Sequence, residues 1–136
     1  MIRITRQEEF SAAHRLYRAE WSEEENYNVY GKCAHENYHG HNYIFEVTLK
    51  APVSLENGMA YNLADLKQIM RDHVVEVLDH KNLNLDVEFF MKKRIPTAEN
   101  IAISIWEVLI QYIPENFLYN VRLYENQRNF VDYRGG

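Results

Sequence analysis

Apolar and polar residues alternate along two stretches in the first third of the chain. From Met1 to His14 most apolar residues fall on even positions, although the polar run Gln7–Glu9 interrupts the pattern. From about His39 to Lys50 most of them fall on odd positions. Because successive side chains of a strand point to opposite faces, each stretch predicts a strand with one buried face, the first with a break near Gln7–Glu9.

Two later stretches carry apolar residues at spacings of three and four, which is the period of an α-helix. The first helix is predicted to begin at Asn62 or at Ala64-Asp65 and to close at Leu78–Leu83. The second is predicted to begin with Thr97 as its N-cap and to stop at Pro114, because proline cannot continue a helix.

Two short alternating stretches, Tyr119–Glu125 and Asn129–Tyr133, close the chain as strands. The order is then strand, strand, helix, helix, strand, strand, with a long loop at Arg15–Lys32 in which a short helix can form from Ser22. Consecutive strands across short turns predict an α+β fold, a four-stranded antiparallel sheet with both helices on one face. We expect a single domain over residues 1–136, with the open face of the sheet covered in an oligomer.

Composition narrows the class of protein. The net charge of −5 argues against nucleic acid as a partner. No apolar run is long enough for a membrane span and no signal-peptide pattern is present, so we expect no membrane partner. The single cysteine excludes an internal disulfide framework, which fits a cytoplasmic protein.

The candidate chemistry is densest at the start of the second predicted strand. His39 and His41 lie two residues apart, so their imidazoles share one face, and Gly40 between them leaves the opposite face clear. His14 ends the first strand on its apolar parity and could meet them from a neighbouring strand. Imidazoles gathered on one face predict a zinc site.

Cys33, six residues before His39, leaves two kinds of zinc site open. As a fourth ligand, the cysteine would make a closed, structural site of three histidines and one cysteine. Otherwise the zinc keeps a vacant position for substrate, and Cys33 is free to act as a base or nucleophile, with its thiolate favoured by nearby positive charge.

Two further positions can carry acid–base or binding chemistry. Asp79 and His80 are adjacent at the end of the first helix, where they can form a proton relay or simply end the helix in solvent. Glu125 shares its strand parity with apolar residues, where a carboxylate is costly unless a ligand with adjacent N–H donors meets it. His35 and His73 have no role that the sequence supports, and we expect both at the surface.

Five motifs that follow one another along the chain carry a family resemblance. They are Phe10-Ser-Ala-Ala-His-Arg-Leu16, Cys33 with five residues before His39-Gly-His-Asn-Tyr43, Leu78-Asp-His-Lys-Asn-Leu83, Pro96-Thr-Ala-Glu-Asn100 and Tyr124-Glu125. Together they cover nearly the whole chain, and the cysteine with its His-Gly-His partner is specific. The sequence resembles the family of 6-pyruvoyl tetrahydropterin synthases and 6-carboxytetrahydropterin synthases, and is most similar to the former.

The resemblance implies a tunnelling fold and a zinc enzyme. In that fold three subunits join their sheets into a twelve-stranded barrel, and two such trimers stack into a homohexamer. The implied zinc ligands are His14, His39 and His41, with Cys33 as the catalytic base rather than a ligand.

For the remaining candidate residues the resemblance implies proton transfer and substrate binding. Asp79 and His80 would form the relay. Glu125 would hold the amino-pyrimidine edge of a pterin, and Thr97 and Glu99 match the pterin-pocket stretch. Active sites of the family lie between subunits, so the residues of one site can come from different chains.

The implied reaction is that of a zinc-dependent lyase in tetrahydrobiopterin biosynthesis. Zinc binds the side-chain hydroxyls of 7,8-dihydroneopterin triphosphate and acidifies the adjacent carbon-bound protons, triphosphate is eliminated, and 6-pyruvoyl-tetrahydropterin remains. One alternative is 6-carboxy-5,6,7,8-tetrahydropterin synthase of queuosine biosynthesis, which typically has a shorter gap before His-Gly-His; another is a pterin-binding relative without turnover. His35-Glu36 departs from the neutral turn usual in the family, and its charge could alter the loop that presents Cys33.

Overall fold

The strands form one sheet that is larger than the sequence predicts. The computed structural model describes residues 1–114 and 116–136. Its strands are β1 (Ile2–His14), β2 (His39–Ala51), β3 (Lys81–Asn82), β4 (Leu118–Tyr124) and β5 (Phe130–Tyr133), in the spatial order β3-β1-β2-β4-β5. The α+β class is confirmed, but the predicted sheet of four strands lacks β3. β3 runs parallel to the end of β1, and two residues are too few to show an alternating pattern.

β1 and β2 pair antiparallel along their whole length. The register runs from Ile2 opposite Ala51 to His14 opposite His39 without a shift. Since every residue of β1 has a partner in β2, the last residue of β1 lies beside the first residue of β2.

The predicted break at Gln7–Glu9 is wrong, because the buried carboxylate of Glu8 is paired. The Arg6 Nε donates to it at 2.8 Å, and the Arg71 Nε lies 3.0 Å from its other oxygen. Burying a carboxylate is costly only when no donor meets it. The two guanidinium groups therefore allow a polar residue on the inward face of a continuous strand.

Helices cover one face of the sheet, as predicted. They are α2 (Leu63–Met70), α3 (Glu76–Leu78), α4 (Glu88–Met91) and α5 (Ala98–Leu109), whereas α1 (Glu23–Tyr30) lies in the connection between β1 and β2 and adds no residue to the core. The predicted Thr97 cap is confirmed, since its hydroxyl accepts from the Asn100 N–H, and the Asn62 side chain caps α2 by accepting from the Ala64 N–H. A π-helical turn at Arg71–Val75 joins α2 to α3.

Two helix boundaries refine the sequence predictions. The short helix from Ser22 forms as α1, and the Ser22 hydroxyl accepts from the Glu25 N–H at 3.1 Å. The second predicted helix ends at Leu109 and continues only as turns to Ile113, so Pro114 is not what stops it. None of the described helices is long and apolar enough to cross a bilayer.

The core lies between the helices and the inward face of the sheet. Its fully buried members include Tyr43, Phe45, Val47 and Leu49 of β2, Leu66 and Met70 of α2, and Ile101, Ile105 and Leu109 of α5. Each such side chain contributes about 1.5–3 kcal/mol relative to exposure. A slip of one residue would turn all of the β2 side chains outward, so the core also fixes where the histidines of β2 point.

The opposite face of the sheet is mostly polar. Apart from Ile44, Tyr124 and Phe130, it carries Arg3, Thr5, Gln7, Glu9, Glu46, Thr48, Lys50, Arg122 and Asp132. Water satisfies such side chains, so this face does not by itself require the covering partner that the sequence analysis expects.

The two edges of the sheet make a better case for a partner. β3 covers β1 only at Ala12 and Ala13, and the remaining outer edge of β1 has no strand beside it in the described part of the chain. β5 forms the other edge. An uncovered strand edge presents unpaired N–H and C=O groups that another chain can pair with.

Candidate functional site

Three imidazoles meet at one end of the β1–β2 pair. His14, the last residue of β1, lies opposite His39, while His41 lies opposite Ala12. One ring nitrogen from each histidine lies within 4.8 Å of the other two. His14 is fully buried, and the other two are half-buried. The antiparallel register therefore brings the third imidazole to the pair that strand parity already placed on one face.

Hydrogen bonding leaves lone pairs of these imidazoles unused. The Nδ1–H of His14 donates to the Pro96 carbonyl at 2.8 Å, so the lone pair is on Nε2, which has the Tyr43 hydroxyl 3.3 Å away. Both nitrogens of His39 and Nε2 of His41 are buried without a hydrogen-bond partner among the described residues. Such buried polar atoms are costly unless something binds them, and three imidazoles are an established zinc donor set. The residues fit the metal ion that the family resemblance implies.

Burial also keeps the imidazoles of His14 and His39 neutral. Loss of solvation lowers the pKa of His14 to about 4, against the opposing effect of its bond to Pro96. The pKa of His39 is lowered as well, first by burial and then by the neighbouring His41. Neutral imidazole is the form that binds a metal, so these ligands need not release a proton at neutral pH.

Cys33 lies in a short 3₁₀ turn, Gly31–Ala34, upstream of β2. Its carbonyl accepts from the Leu16 N–H at 2.8 Å, which ties this turn to the chain just after β1. Burial, and after it the charge of Glu125, raises the pKa of the thiol. The positive charge expected to favour the thiolate is therefore not supplied by the groups that shift this pKa in one chain. The cysteine sulfur does not join the group of mutually close nitrogens, which favours an open site over a closed four-ligand one.

Glu125 follows β4 directly instead of lying within it. One carboxylate oxygen lies 4.0 Å from Nε2 of His14, and the other lies 3.9 Å from Nε2 of His41. The side chain lines an open cleft of about 590 Å³ together with His41 and Tyr124. The inward direction predicted from strand parity is observed, and among the described residues no hydrogen bond reaches this carboxylate.

Asp79 and His80 form a hydrogen-bonded pair immediately before β3. The His80 Nδ1–H donates to one oxygen of Asp79 at 2.8 Å, and the Ser11 backbone N–H donates to the other at 2.8 Å. The bond from Ser11, and secondarily that from His80, lowers the pKa of Asp79. His80 has a φ of +60°, which is uncommon outside glycine, and it lines a cleft of about 560 Å³ that also includes His41.

Thr97 follows Pro96, whose carbonyl meets His14, but the side chains of Thr97 and Glu99 form no hydrogen bond with another predicted site residue among the described residues. The Thr97 hydroxyl caps α5, and Glu99 is exposed in the first turn of that helix. Among the described residues no hydrogen bond joins either of them to Glu125. Their assignment to a pterin pocket depends on what a second chain places nearby.

His35 and His73 lie apart from the three imidazoles, and neither is held in a cluster of metal-binding side chains. The His35 Nδ1 accepts from the Asn37 N–H at 3.2 Å, and His73 stacks on Tyr112 with ring centres 3.6 Å apart. These contacts are local, so the two histidines serve as controls for the three that converge.

Three groups that position the imidazoles are missing from the sequence-based site. Pro96 acts through its backbone carbonyl, which carries no side-chain signature. The Asn84 side chain binds the backbone of Arg15: it accepts from the N–H at 2.8 Å and donates to the carbonyl at 2.9 Å. The Tyr43 hydroxyl lies 3.1 and 3.3 Å from the two nitrogens of His14. Only Tyr43 could have been found, because it shares strand parity with both histidines of β2.

Comparisons with known proteins cover almost the whole chain. The family described as 6-pyruvoyl tetrahydropterin synthase matches residues 3–136. A 6-pyruvoyl tetrahydrobiopterin synthase from Dictyostelium discoideum is 46% identical over 132 residues, 97% of this chain and 95% of that protein. The structure of Caenorhabditis elegans 6-pyruvoyl tetrahydropterin synthase superposes with a TM-score of 0.92 at 41% identity, covering 99% of this chain and 96% of the other. A 6-carboxy-5,6,7,8-tetrahydropterin synthase from Rickettsia bellii is 29% identical over 149 residues, 97% of this chain and 99% of that protein.

Proposed function

Because the chain belongs to the 6-pyruvoyl tetrahydropterin synthase family and is a lyase of that type, we propose that it converts 7,8-dihydroneopterin triphosphate to 6-pyruvoyl-tetrahydropterin in tetrahydrobiopterin biosynthesis. The main support is the group of three imidazoles that converge beside Glu125, with both nitrogens of His39 and Nε2 of His41 unpaired among the described residues. The reaction balances internally: triphosphate leaves, the side chain becomes a diketone, and the dihydropterin ring gains two hydrogens. No external oxidant or reductant is needed.

The proposed resident metal is zinc, held by His14, His39 and His41. When bound, zinc supplies a Lewis acid that polarises the hydroxyl oxygens of the substrate side chain. The Pro96 carbonyl fixes the His14 tautomer, because an Nδ1–H that donates to it cannot move to Nε2. Three imidazoles leave one position of a four-coordinate ion for substrate.

Two groups of this chain are proposed to move protons. Cys33 acts as the base, and its raised thiol pKa means that it needs positive charge nearby to ionise at neutral pH. Asp79 holds the Nδ1–H of His80, so the exposed Nε2 of that imidazole is the atom that can accept or release a proton. This hydrogen bond supports a relay rather than a solvated helix end.

The pterin ring is proposed to bind at Glu125. Its carboxylate has no hydrogen-bond donor among the described residues, and a pterin offers an amino group and a ring N–H side by side. Thr97 and Glu99 are proposed to complete the pocket from another chain, since one chain does not bring them to Glu125.

We propose a homohexamer of two stacked trimers, with sites between subunits and with neither nucleic acid nor membrane as a partner. The uncovered edges of β1 and β5 support strand pairing between subunits, which would close three sheets into one barrel. Light scattering at micromolar concentration is expected to give a hexamer mass, and a stable monomer would contradict this assembly. The cytoplasm is the proposed location, since a reducing compartment keeps the single cysteine free.

Product analysis tests the reaction. The zinc-loaded protein is incubated with 7,8-dihydroneopterin triphosphate, and the expected products are triphosphate and 6-pyruvoyl-tetrahydropterin. Release of acetaldehyde with 6-carboxytetrahydropterin would instead identify the alternative synthase, whose cysteine typically lies closer to His-Gly-His than the five-residue gap here. Binding without any product would identify a pterin-binding relative.

A further inference from the structure

A cluster of positive charge lies at the end of the sheet opposite to the histidines. The guanidinium carbons of Arg3 and Arg134 lie 4.1 and 4.8 Å from the centre of the Tyr119 ring, and the Lys50 Nζ lies 5.6 Å from it. These four residues are called the Tyr119 cluster below. Any two of its charges lie within about one Debye length, roughly 10 Å, of each other, in a chain of net charge −5.

The Tyr119 cluster places like charges side by side. Arg3 lies directly opposite Lys50 in the β1–β2 ladder, an arrangement that destabilises a sheet when both side chains are charged. Attraction to the aromatic face contributes only about 0.5–1 kcal/mol for an exposed cation. The repulsion between Arg3 and Lys50 is therefore not fully offset by their contacts with Tyr119.

No carboxylate of the described residues lies within 4.0 Å of these three cations. The nearest acidic candidate, Asp132, has its oxygens held by Arg122 and Asn120. Those two bonds lower its pKa most, and the charge of Arg134 adds to the effect only at longer range. Asp132 thus forms its hydrogen bonds with Arg122 and Asn120, and it acts on Arg134 only through its charge at longer range.

Elsewhere the chain pairs many of its cations with acidic residues. The pairs include Arg6–Glu8, Arg18–Glu20, Lys92–Glu107, Lys93–Glu88 and Arg122–Asp132. Three uncompensated cations gathered on one ring therefore stand apart from the rest of this surface, and local conflicts of this kind are expected where a protein binds something.

We propose that the Tyr119 cluster binds an oligophosphate, a small anion with several adjacent phosphoryl groups. Guanidinium groups bind phosphoryl oxygens through parallel N–H donors, and an ammonium adds a compact charge, so Arg3, Arg134 and Lys50 match a short row of phosphates. A nucleic acid would need a longer basic stripe and would be repelled by the net negative charge. A single orthophosphate would leave part of the positive charge uncompensated.

The Tyr119 cluster is separate from the imidazole site of the same chain. Arg3 and His14 lie eleven positions apart in one uninterrupted strand, which corresponds to roughly 36 Å at 3.3 Å per residue. The proposal is therefore independent of the proposed reaction, and its failure would leave that reaction untouched.

Calorimetric titration with sodium tripolyphosphate tests the site, at constant ionic strength and without added divalent metal. The variants Arg3→Gln, Lys50→Gln and Arg134→Gln are each expected to weaken binding by roughly tenfold or more, because each removes a charge-assisted contact. Arg3→Lys keeps the charge but loses the parallel N–H donors, so its affinity should lie between those of the wild type and Arg3→Gln. Lys67→Gln and Arg128→Gln remove exposed cations outside the cluster and should leave binding unchanged.

A further variant separates this site from the imidazole site. His39→Ala is expected to retain tripolyphosphate binding; if His39→Ala loses it while the three cluster variants keep it, the anion binds at the histidines and the proposal is wrong. Equal weakening by cluster and control variants would show only general charge attraction, and would overturn it too.

Thermal unfolding gives a second signature that a misfolded variant cannot imitate. Without anion, Lys50→Gln should melt slightly above the wild type, because it removes the cross-strand repulsion from Arg3. With tripolyphosphate, the wild type should gain thermal stability and Lys50→Gln should gain little. A variant that is less stable in the absence of anion and still responds fully to it would contradict the site.

Discussion

The two ends of the β1–β2 pair differ in what their side chains lack. At one end, His14, His39 and His41 are metal-binding side chains that lack a cation. At the other, Arg3 and Lys50 are cations that lack an anion. The backbone ladder between them is uninterrupted, so the difference comes from side chains alone.

Burial decides how strongly each end indicates a ligand. A buried polar atom without a partner costs about 1–3 kcal/mol, because no water can replace the missing bond. Exposed charges are screened by salt, and individual interactions between them contribute about 0–1 kcal/mol. The histidine end should therefore bind its cation tightly, while the Tyr119 cluster should bind its anion in a salt-dependent way.

Removal of one imidazole should have the largest effect. We expect His39→Ala to lose most of its zinc, a greater loss than the 10–100-fold typical of removing an outer partner of a metal ligand. Metal analysis after dialysis measures this. His35→Ala and His73→Ala are matched controls because both histidines lie outside the group. Full zinc retention in His39→Ala would show that the histidine end is not a zinc site.

Cys33→Ala should separate turnover from metal binding. Because the sulfur is not among the mutually close nitrogens, we expect normal zinc content. We expect turnover to fall by about 10²–10⁴-fold, the range for a general acid–base group. Steady-state kinetics with parallel metal analysis checks both; a joint loss of zinc and activity would make Cys33 a ligand and the site closed.

Glu125→Gln should weaken pterin binding by about 1.5–3 kcal/mol, the range for hydrogen bonds to charged groups. The amide keeps the shape of the carboxylate but turns one acceptor into a donor, which would face a donor of the pterin. Calorimetric titration with neopterin measures the change, with zinc content as the control for folding. Equal affinities would show that the pterin lies elsewhere.

Strand parity predicted the histidine end well because the core fixes it. The buried face of β2 sets which way His39 and His41 point, and the same periodicity places Glu125 inward. The pairing of His14 with them needed the register, and the register became continuous only because Glu8 is paired with Arg6 and Arg71. The Arg71–Glu8 pair joins distant parts of the chain and cannot be predicted from local alternation.

What the sequence did not predict acts through backbone groups or depends on the fold. Pro96 contributes a carbonyl, and β3 consists of two residues that pair only because the chain passes the end of β1. The Tyr119 cluster was also missed, since Arg3, Tyr119 and Arg134 are far apart in sequence and are united by sheet order alone. Site residues that lie close together in the sequence can be predicted from their spacing. Contacts between strands that are distant in the sequence cannot.

The smallest predicted effect concerns pH, and it distinguishes the two ends in a different way. The bond from the Ser11 N–H, and then that from His80, holds the pKa of Asp79 below its ordinary value. A carboxyl whose pKa is lower in the folded state stabilises the fold above the unfolded pKa of about 3.9, and loses that contribution as pH falls through the folded pKa. Asp79→Asn should therefore be less stable than the wild type at pH 5–7, by under about 1 kcal/mol because the pair is partly exposed. The difference should shrink below about pH 4, as the wild-type carboxyl also becomes neutral. Lys50→Gln changes no carboxyl group, so its effect on stability should not follow this trend with pH. Denaturant unfolding of the three proteins from pH 3 to 7 measures both trends, and a constant difference for Asp79→Asn would show that the Ser11 bond does not depend on the charge of Asp79.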